Sequence, residues 1–483
     1  MPMRNTTEHR SPSLRSAAAV SFARAAALAS RLAGNQGTSL PGKVALSVSP
    51  DVLADLSGQV REKIFAVCGT NGKTSVNNIL CSMLEAEGRK TVCNRQGANM
   101  LPGVTGAFLA SSGLSGRLNA DYACLEVDEA SARHVFAAVK PDYLILTNLF
   151  RDQLDRYGEI DLTIDLLKKA IALVPEMTLV INADDPLSVF IAEESGNPAV
   201  YYGISERTTT GLPAGEAAAA NAGGEIREGQ FCKKCGAPLA YTFYHYSQMG
   251  LWRCPSCSFR RPEPSYEAVR IRAGGGLSFT CRENGKDTVR LHTEQQGLYN
   301  IYNYLAVMTA LRTDGHDCSG FQAVMDRYRP PFGRNEVFPI AGRTVILNLA
   351  KNPAGFNQNI SAMLADGADK DLIIVINDND QDGTDISWLW DVEFEKLRDS
   401  AIHTITVSGT RALDMRLRLK YEDIRSERTE SPEQAVEKYL RTAAAAGTEA
   451  GGGKDPDRLY VLVNYTALFP VHRYLRKRAA QVP

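Results

Sequence analysis

Lys73 and Thr74 close the run Gly69-Thr70-Asn71-Gly72-Lys73-Thr74-Ser75, and these are residue types that handle phosphate. The glycines let backbone N–H groups approach an anion at a helix N-terminus, and a lysine adds a point charge. A threonine hydroxyl at this position can sit on a magnesium ion. The flanking segments are those needed to hold such a turn. Ile64-Phe65-Ala66-Val67 is short and apolar and reads as a buried strand. From Asn77 to Glu87, Ile79, Leu80, Met83 and Leu84 recur at helical spacing. The longer phosphate-loop pattern asks for a glycine where Val67 stands, so only the short form is present. All seven residues, Gly69 to Ser75, are candidates to hold a phosphate group; an ordinary glycine turn is the plain alternative.

Carboxylates supply the second chemistry. Tyr122-Ala123-Cys124-Leu125-Glu126-Val127-Asp128-Glu129 reads as a buried strand ending in acids. A strand-end carboxylate beside a phosphate loop suits Mg²⁺, which takes oxygen ligands and keeps several waters. Glu126 and Thr74 are therefore the magnesium candidates, a capping or ion-paired acid being the other reading of Glu126. Gln96 to Met100 forms a further polar, glycine-containing loop. Strands are expected at Tyr143–Asn148 and Thr178–Asn182, the latter running into Ala183-Asp184-Asp185-Pro186. Strands alternating with helices, with polar residues at strand C-termini, describe a mainly parallel sheet with its site along one edge.

Thiolates supply the third. Cys232 and Cys235 precede Cys254 and Cys257 by eighteen intervening residues. Two such knuckles suit a four-sulfur zinc ribbon over 229–262, structural because all four positions are filled by protein. Disulfides are the alternative. Cys68, Cys81, Cys93, Cys124, Cys281 and Cys318 read as isolated packing residues.

The 483 residues exceed one core, and 54 basic against 55 acidic side chains give no sign of a nucleic-acid binder. Ten cysteines in a long chain fit a reducing cytoplasm, and no apolar run is long enough to cross a bilayer. Residues 1–13 are expected to be a disordered tail. Leu14 to Leu56 reads as helical, amphipathic at first, with breaks at Gly34, Gly37 and Pro41-Gly42. Residues 204–230 read as a linker and Pro330 to Arg334 as a hinge. Beyond it, strands at Val345–Leu347, Leu372–Ile376, Thr404–Val407 and Leu459–Val463 indicate a second α/β domain, with a low-complexity loop at Ala444–Asp457. Asn377 to Asp391 carries five aspartates and two of the three tryptophans. Its first half resembles a calcium loop, but Leu389 stands where that loop needs a glutamate, so a protein interface fits better.

Gly69–Thr74, Leu125-Glu126-Val127, Thr147-Asn148 and Asn182–Pro186 together resemble the central ATPase domain of the Mur ligases. The resemblance implies a fold with the ATPase domain at 14–335, the ribbon inserted in it, and a Rossmann-like α/β domain at 336–483. It implies that ATP phosphorylates a carboxylate and that an amine attacks the acyl phosphate. Asn300 and Asn303 match the family's Asn-x-x-Asn helix start near adenine. Departures are Gln153 in place of the usual histidine, Asn348-Leu349-Ala350-Lys351-Asn352-Pro353 in place of Asp-Tyr-Ala-His-Asn-Pro, and too few residues before the loop for a UDP-gripping domain.

The ribbon, that shortened start and the 348–355 and 378–391 stretches narrow the resemblance to the branch that amidates lipid II. There the α-carboxylate of D-glutamate in the stem peptide takes ammonia from a GatD-like class I glutaminase, in a heterodimer at the inner membrane face. On that resemblance Asp385, in Asp382-Gly383-Thr384-Asp385, completes the partner's Cys-His pair, and Asn148, Arg334, Lys351 and Asp382 are further site candidates. The implied cofactors are ATP, Mg²⁺ and structural Zn²⁺. Two other readings remain open: a Mur- or folate-type ligase that adds an amino acid, and a zinc-ribbon binding module switched by ATP.

Overall fold

The computed structural model describes residues 13–32, 39–95, 97–151, 160–207, 229–273, 276–295, 297–329, 332–399, 401–446 and 458–481. All but the last residue of the expected N-terminal tail, Gly34, Gly37, Gln153, most of the 204–230 linker, Pro330 and Pro331 of the expected hinge, and most of the 444–457 loop lie outside them. The described residues to Phe150 and from Ile160 to Arg329 form one compact unit, and those from Phe332 onward a second.

In the first unit the apolar runs become β1 (Lys63–Cys68), β2 (Thr91–Cys93), β3 (Tyr122–Glu126), β4 (Tyr143–Leu146), β5 (Thr178–Asn182) and β6 (Ala199–Ile204). Every residue of β3 and β4 is buried, as expected of a parallel sheet covered on both faces. A hairpin, β7 (Ala240–Tyr246) and β8 (Met249–Arg253), stands apart from the sheet. β9 (Tyr266–Ala273), β10 (Leu277–Glu283) and β11 (Lys286–Thr293) extend it in the order β11-β10-β9-β6-β5-β4-β1-β3-β2. Pairing is parallel from β2 to β9 and antiparallel from β9 to β11. β1 lies between β3 and β4. The chain therefore reverses direction across the sheet beside β1, and crevices that bind ligands form at such points.

Three helices, Leu14–Leu32, Leu40–Val48 and Val52–Ser57, precede β1. Ser16, Ala19, Val20 and Ala23 are buried at helical spacing, so the first helix packs its small-residue face inward. The expected break at Pro41-Gly42 is instead a helix start. Proline is tolerated in a first turn, where its missing N–H has no intrahelical acceptor. A Cβ on Gly42 would overlap the Pro102 carbonyl, so glycine is what lets this helix press against Leu101–Ser111.

The second unit holds β12 (Glu336–Ile340), β13 (Arg343–Leu349), β14 (Lys370–Val375), β15 (Ile402–Ser408), β16 (Glu427–Arg428) and β17 (Arg458–Val463), ordered β12-β13-β17-β14-β15-β16. All pairings but β12–β13 are parallel. The four expected strands are present; the edge strands β12 and β16 carry too little apolar pattern to be read from sequence. The helix Pro432–Ala446 enters the stretch expected to be a low-complexity loop, because its alanines favour helix. Among the described residues, no helix is long and apolar enough to cross a membrane.

Candidate functional site

β1 ends at Cys68, and the chain turns at Gly69 (φ 123°) and Gly72 (φ 88°) into the helix Lys73–Ala86. Both angles lie in the left-handed region that favours glycine. A Cβ on Gly69 would overlap the Thr147 hydroxyl and stand 2.8 Å from the Asn148 carbonyl oxygen; one on Gly72 would overlap the Asn303 side chain. The end of β4 clamps the turn from one side. Thr70 N donates to Asn148 O (2.8 Å), Asn71 N to Asn148 Oδ1 (2.9 Å), Thr147 Oγ1 to Asn71 O (2.7 Å), and Phe150 N to Thr70 Oγ1 (2.9 Å). Asn148 is thus brought to the loop as a scaffold for its backbone. Asn300 and Asn303 are buried at the start of the helix Leu298–Thr313, and Asn303 faces Gly72. Ser75 is buried in the first turn of the loop's own helix, and Thr74 beside it is half-buried.

Thr74 and Glu126 converge. The point that a Cβ on Gly97 would occupy is 3.6 Å from Glu126 Oε2 and 3.8 Å from Thr74 Oγ1. Glu126 Oε2 is buried and, among the described residues, makes no hydrogen bond. Its other oxygen accepts from Asn99 Nδ2 (2.9 Å), while Asn94 bridges the Glu126 backbone through its N–H and carbonyl (2.8 Å each). An orphaned buried carboxylate oxygen beside a hydroxyl fits a hard divalent cation. The polar loop around Gly97 thus positions Glu126. Asn94 and Asn99 are residues that sequence reasoning missed, the signal being two asparagines around that glycine.

A third missed residue is Glu129. Its carboxylate accepts from Gly69 N (2.6 Å) and from Lys73 Nζ (3.1 and 3.4 Å), and Lys73 also reaches the Gly69 carbonyl. Burial pushes Glu129 above the usual carboxylate range, against the Lys73 charge and the Gly69 N–H, which favour its ionised form. A carboxylate therefore sits where the loop's geometry receives an anion.

The four ribbon thiols lie within 4.8 Å of one another, with Cys232–Cys257 at 3.6 Å and Cys235–Cys254 at 3.5 Å. A tetrahedral zinc–thiolate site has sulfur–sulfur distances of about 3.8 Å, so the set fits zinc. Of the cysteines expected to be isolated, three are not. Cys93 and Cys124 are partners across β2 and β3, and Cys124 and Cys93 together hold the Cys81 thiol, on the helix Lys73–Ala86, below its usual range. The parallel register, invisible in the sequence, brings them together.

The remaining candidates lie in the second unit. Asp385 accepts from Ser387 N (2.8 Å) and Ser387 Oγ (3.0 Å) and is half-buried. Asp382 is buried instead, bound to Thr466 through its N–H (2.8 Å) and hydroxyl at the start of the helix Tyr465–Ala479. Trp388 is also buried, against Phe356, so of the two tryptophans expected at an interface only Trp390 is exposed. Lys351 precedes Asn352, whose Oδ1 caps the helix Pro353–Ala365 by accepting from Gly355 N (2.8 Å). Arg334 lies half-buried in the turn before β12.

The fold resembles that of a pseudomurein peptide ligase type C from Methanothermus fervidus (TM-score 0.65, 19% identity, 90% of this chain and 84% of that one). It also resembles MurF from Acinetobacter baumannii (TM-score 0.63, 14% identity, 91% and 81%). With residues 67–233 matching the Mur ligase middle domain, fold and site together define a ligase of the Mur type. Residues 349–468 match the MurT ligase C-terminal domain. Full-length relatives are the lipid II isoglutaminyl synthase (glutamine-hydrolyzing) subunit MurT of Staphylococcus aureus strain N315 (33% identical, 95% of this chain and 97% of that one) and of Streptococcus pneumoniae R6 (32%, 92% and 93%). The chain belongs to the MurT family, and it is an ATP-dependent ligase.

Proposed function

We propose that this chain is the synthetase half of a lipid II isoglutaminyl synthase. It would convert the α-carboxylate of D-glutamate in the stem peptide to a carboxamide, using ATP and ammonia released by a GatD-like class I glutaminase. The observation that carries the reading is the likeness, over almost the whole chain, to subunits of that name. The geometry around Gly69–Thr74 is consistent with it. The proposed division is an ATPase domain at 14–335 holding the ribbon at 229–262, and a C-terminal domain at 336–483.

A carboxylate is a poor electrophile, and phosphorylating it creates a leaving group. Gly69–Ser75 would receive the phosphates on backbone N–H groups at the helix start, and Asn300 and Asn303 would face the base. Lys73 would leave Glu129 and place its charge on the phosphoryl group in transfer. Thr74 and Glu126 would hold magnesium, which when bound spreads the charge of the phosphate oxygens. The acid thus becomes an acyl phosphate, ammonia attacks its carbonyl carbon, and phosphate departs. Only neutral ammonia has the free electron pair for attack, so a shielded supply is needed. Asp385 would orient the histidine of the glutaminase's nucleophile–base pair across an interface. Arg334, Lys351 and Asp382 are assigned to supporting that second domain's site. The chemistry takes place on a lipid-borne substrate at the cytoplasmic membrane face.

The test is reconstitution. The chain with lipid II, Mg-ATP and ammonium should yield the mass change of carboxyl-to-amide exchange, and adding glutaminase should let glutamine replace ammonium. Nucleotide hydrolysis with unaltered lipid II, whichever nitrogen donor is present, refutes the reading.

A further inference from the structure

The hairpin β7–β8 carries the two zinc knuckles at its base, since Cys235 lies shortly before β7 and Cys254 directly after β8. Its far end is buried in the ATPase unit. Tyr246, Gln248 and Met249 are 6%, 0% and 0% exposed, values of a core and not of an independent surface module.

These side chains hold the strand-end acids of β5 and the clamp on the phosphate loop. Gln248 Nε2 donates to Asp185 Oδ1 (2.9 Å) and to Leu149 O (2.6 Å). Leu149 N in turn donates to Asp185 Oδ2 (2.9 Å), and the next residue, Phe150, bonds Thr70 through both its N–H and its carbonyl. One glutamine from the ribbon thus fixes the segment that fixes the loop. Met249 accepts at its sulfur from Asn182 Nδ2 (3.7 Å), and Trp252 Nε1 donates to Ala183 O (3.1 Å).

A second line runs to the helix that faces the loop. Arg261, four residues after the last zinc cysteine, donates Nε to Asp184 Oδ1 (2.6 Å). Tyr302 donates its hydroxyl to Asp184 Oδ2 (2.6 Å), and His245 of β7 stands 2.8 Å from that hydroxyl. Tyr302 lies between Asn300 and Asn303 in the chain, and Asn303 faces Gly72. The Asp184 carboxylate is wholly buried, and burial alone would neutralise it; the Arg261 charge, His245 at 3.5 Å and the bond from Tyr302 hold it below the usual carboxylate range.

We infer that the zinc ribbon is a positioning element of the nucleotide site: through Gln248 and His245 of its hairpin and Arg261 beyond it, it holds the Leu149–Phe150 clamp and the Asn300–Asn303 helix start against the phosphate loop. Cys232, Cys235, Cys254 and Cys257 would hold zinc at the base, and the bound ion would tie the start of β7 and the end of β8 together and so steady the inserted tip. These groups act through others and touch no substrate, so they are positioning residues. The inference rests on the proposed assignment of Gly69–Ser75 to ATP, and it makes ribbon and nucleotide thermodynamically coupled. By linkage, each must alter the other's affinity by the same factor.

The experiment has two arms, both on the full chain and neither requiring turnover. In the first, Gln248→Leu, close in volume but without the amide, is measured for binding of a non-hydrolysable ATP analogue and for zinc content. The expected result is affinity weakened roughly tenfold, the scale of one or two hydrogen bonds, with zinc content unchanged. In the second, the wild-type protein is titrated with a zinc-selective chelator with and without saturating analogue. The expected result is tighter zinc retention in its presence. Equal analogue affinity in Gln248→Leu together with zinc retention blind to the nucleotide overturns the inference. Failure of the wild-type chain to bind the analogue at all overturns the nucleotide-site assignment instead. Should Gln248→Leu not fold, the second arm decides alone.

Discussion

Two loops in this protein leave the C-terminal end of a buried parallel strand, and they are built in opposite ways. The loop after β1 is enclosed: its backbone is bonded to Asn148 and its Thr70 hydroxyl to Phe150, Asn303 faces its second glycine, and Glu129 sits on its lysine. The loop after β14 is tethered at its root and open at its tip. Asn377 exchanges bonds with Asn464, Asp378 pairs with Arg411 and Thr410, and Asp382 with Thr466. Asp385 and Trp390 lie farther along, half-buried and 51% exposed. An enclosed turn of backbone donors suits a small anion. A rooted loop with an outward acid and indole suits another protein's surface.

The contrast can be broken most decisively at Lys73. Lys73→Ala should lower amidation by roughly 10²–10³-fold or more with either nitrogen source, because one preorganised charge in a dry site contributes on that scale. Retained ammonium-driven product in the lipid II assay would remove the phosphate-loop assignment.

Gly69→Ala comes next. It places a Cβ against the Thr147 hydroxyl and the Asn148 carbonyl at a φ of 123°. The clamp must shift to accommodate it, so nucleotide binding should be lost while circular dichroism stays that of a folded chain. Wild-type affinity would mean that the glycine turn is incidental.

Asp385→Asn sharpens the other side of the comparison. Glutamine-driven amidation should fall by orders of magnitude while synthesis from added ammonium stays near wild type, as measured by product formation in parallel assays. Loss of both activities would move Asp385 from the interface to the ATP site.

The smallest effect is expected at the opposite end of the first sheet. There His316 bonds Glu87 through Nδ1 (2.6 Å) and faces Asp314 and the Tyr122 hydroxyl through Nε2, with Glu62 beyond that hydroxyl. Burial lowers the His316 pKa, but the bonds to Asp314 and Glu87 outweigh it and the net shift is upward. A raised folded-state pKa contributes stability that is fully present below the unfolded value of about 6.5 and is lost as pH rises through the folded value. The difference in melting temperature between wild type and His316→Gln should therefore narrow as pH rises above the unfolded value of about 6.5. A gap constant with pH would show that the imidazole acts by packing alone.

What could be read in advance follows a simple division. β1, β3, β4, β5 and the four long strands of the second unit announce themselves as short apolar runs, because a strand buried on both faces must be apolar along its length. β9 to β11 did not, since antiparallel strands with one wet face alternate, and those runs are thick with charge. Pro41-Gly42 misled because the same pair can end a helix or begin one, and only the neighbouring helix at Pro102 decides. Trp388 misled because an aromatic residue in an acidic loop can turn inward onto Phe356.

By itself, the sequence determined which residues are candidates for chemistry: a glycine turn with its lysine and threonine, a strand-end glutamate, and four cysteines at ribbon spacing. These are local facts, since each depends on residues a few positions apart. Tertiary structure alone decided that Asn94 and Asn99 aim Glu126, that Glu129 holds Lys73, and that Gln248 of a separate hairpin and Arg261 beyond it reach the acids that follow β5. Those pairings join segments 27 to 77 residues apart. Parallel strand register and crossover, which no local pattern encodes, bring them within hydrogen-bond reach.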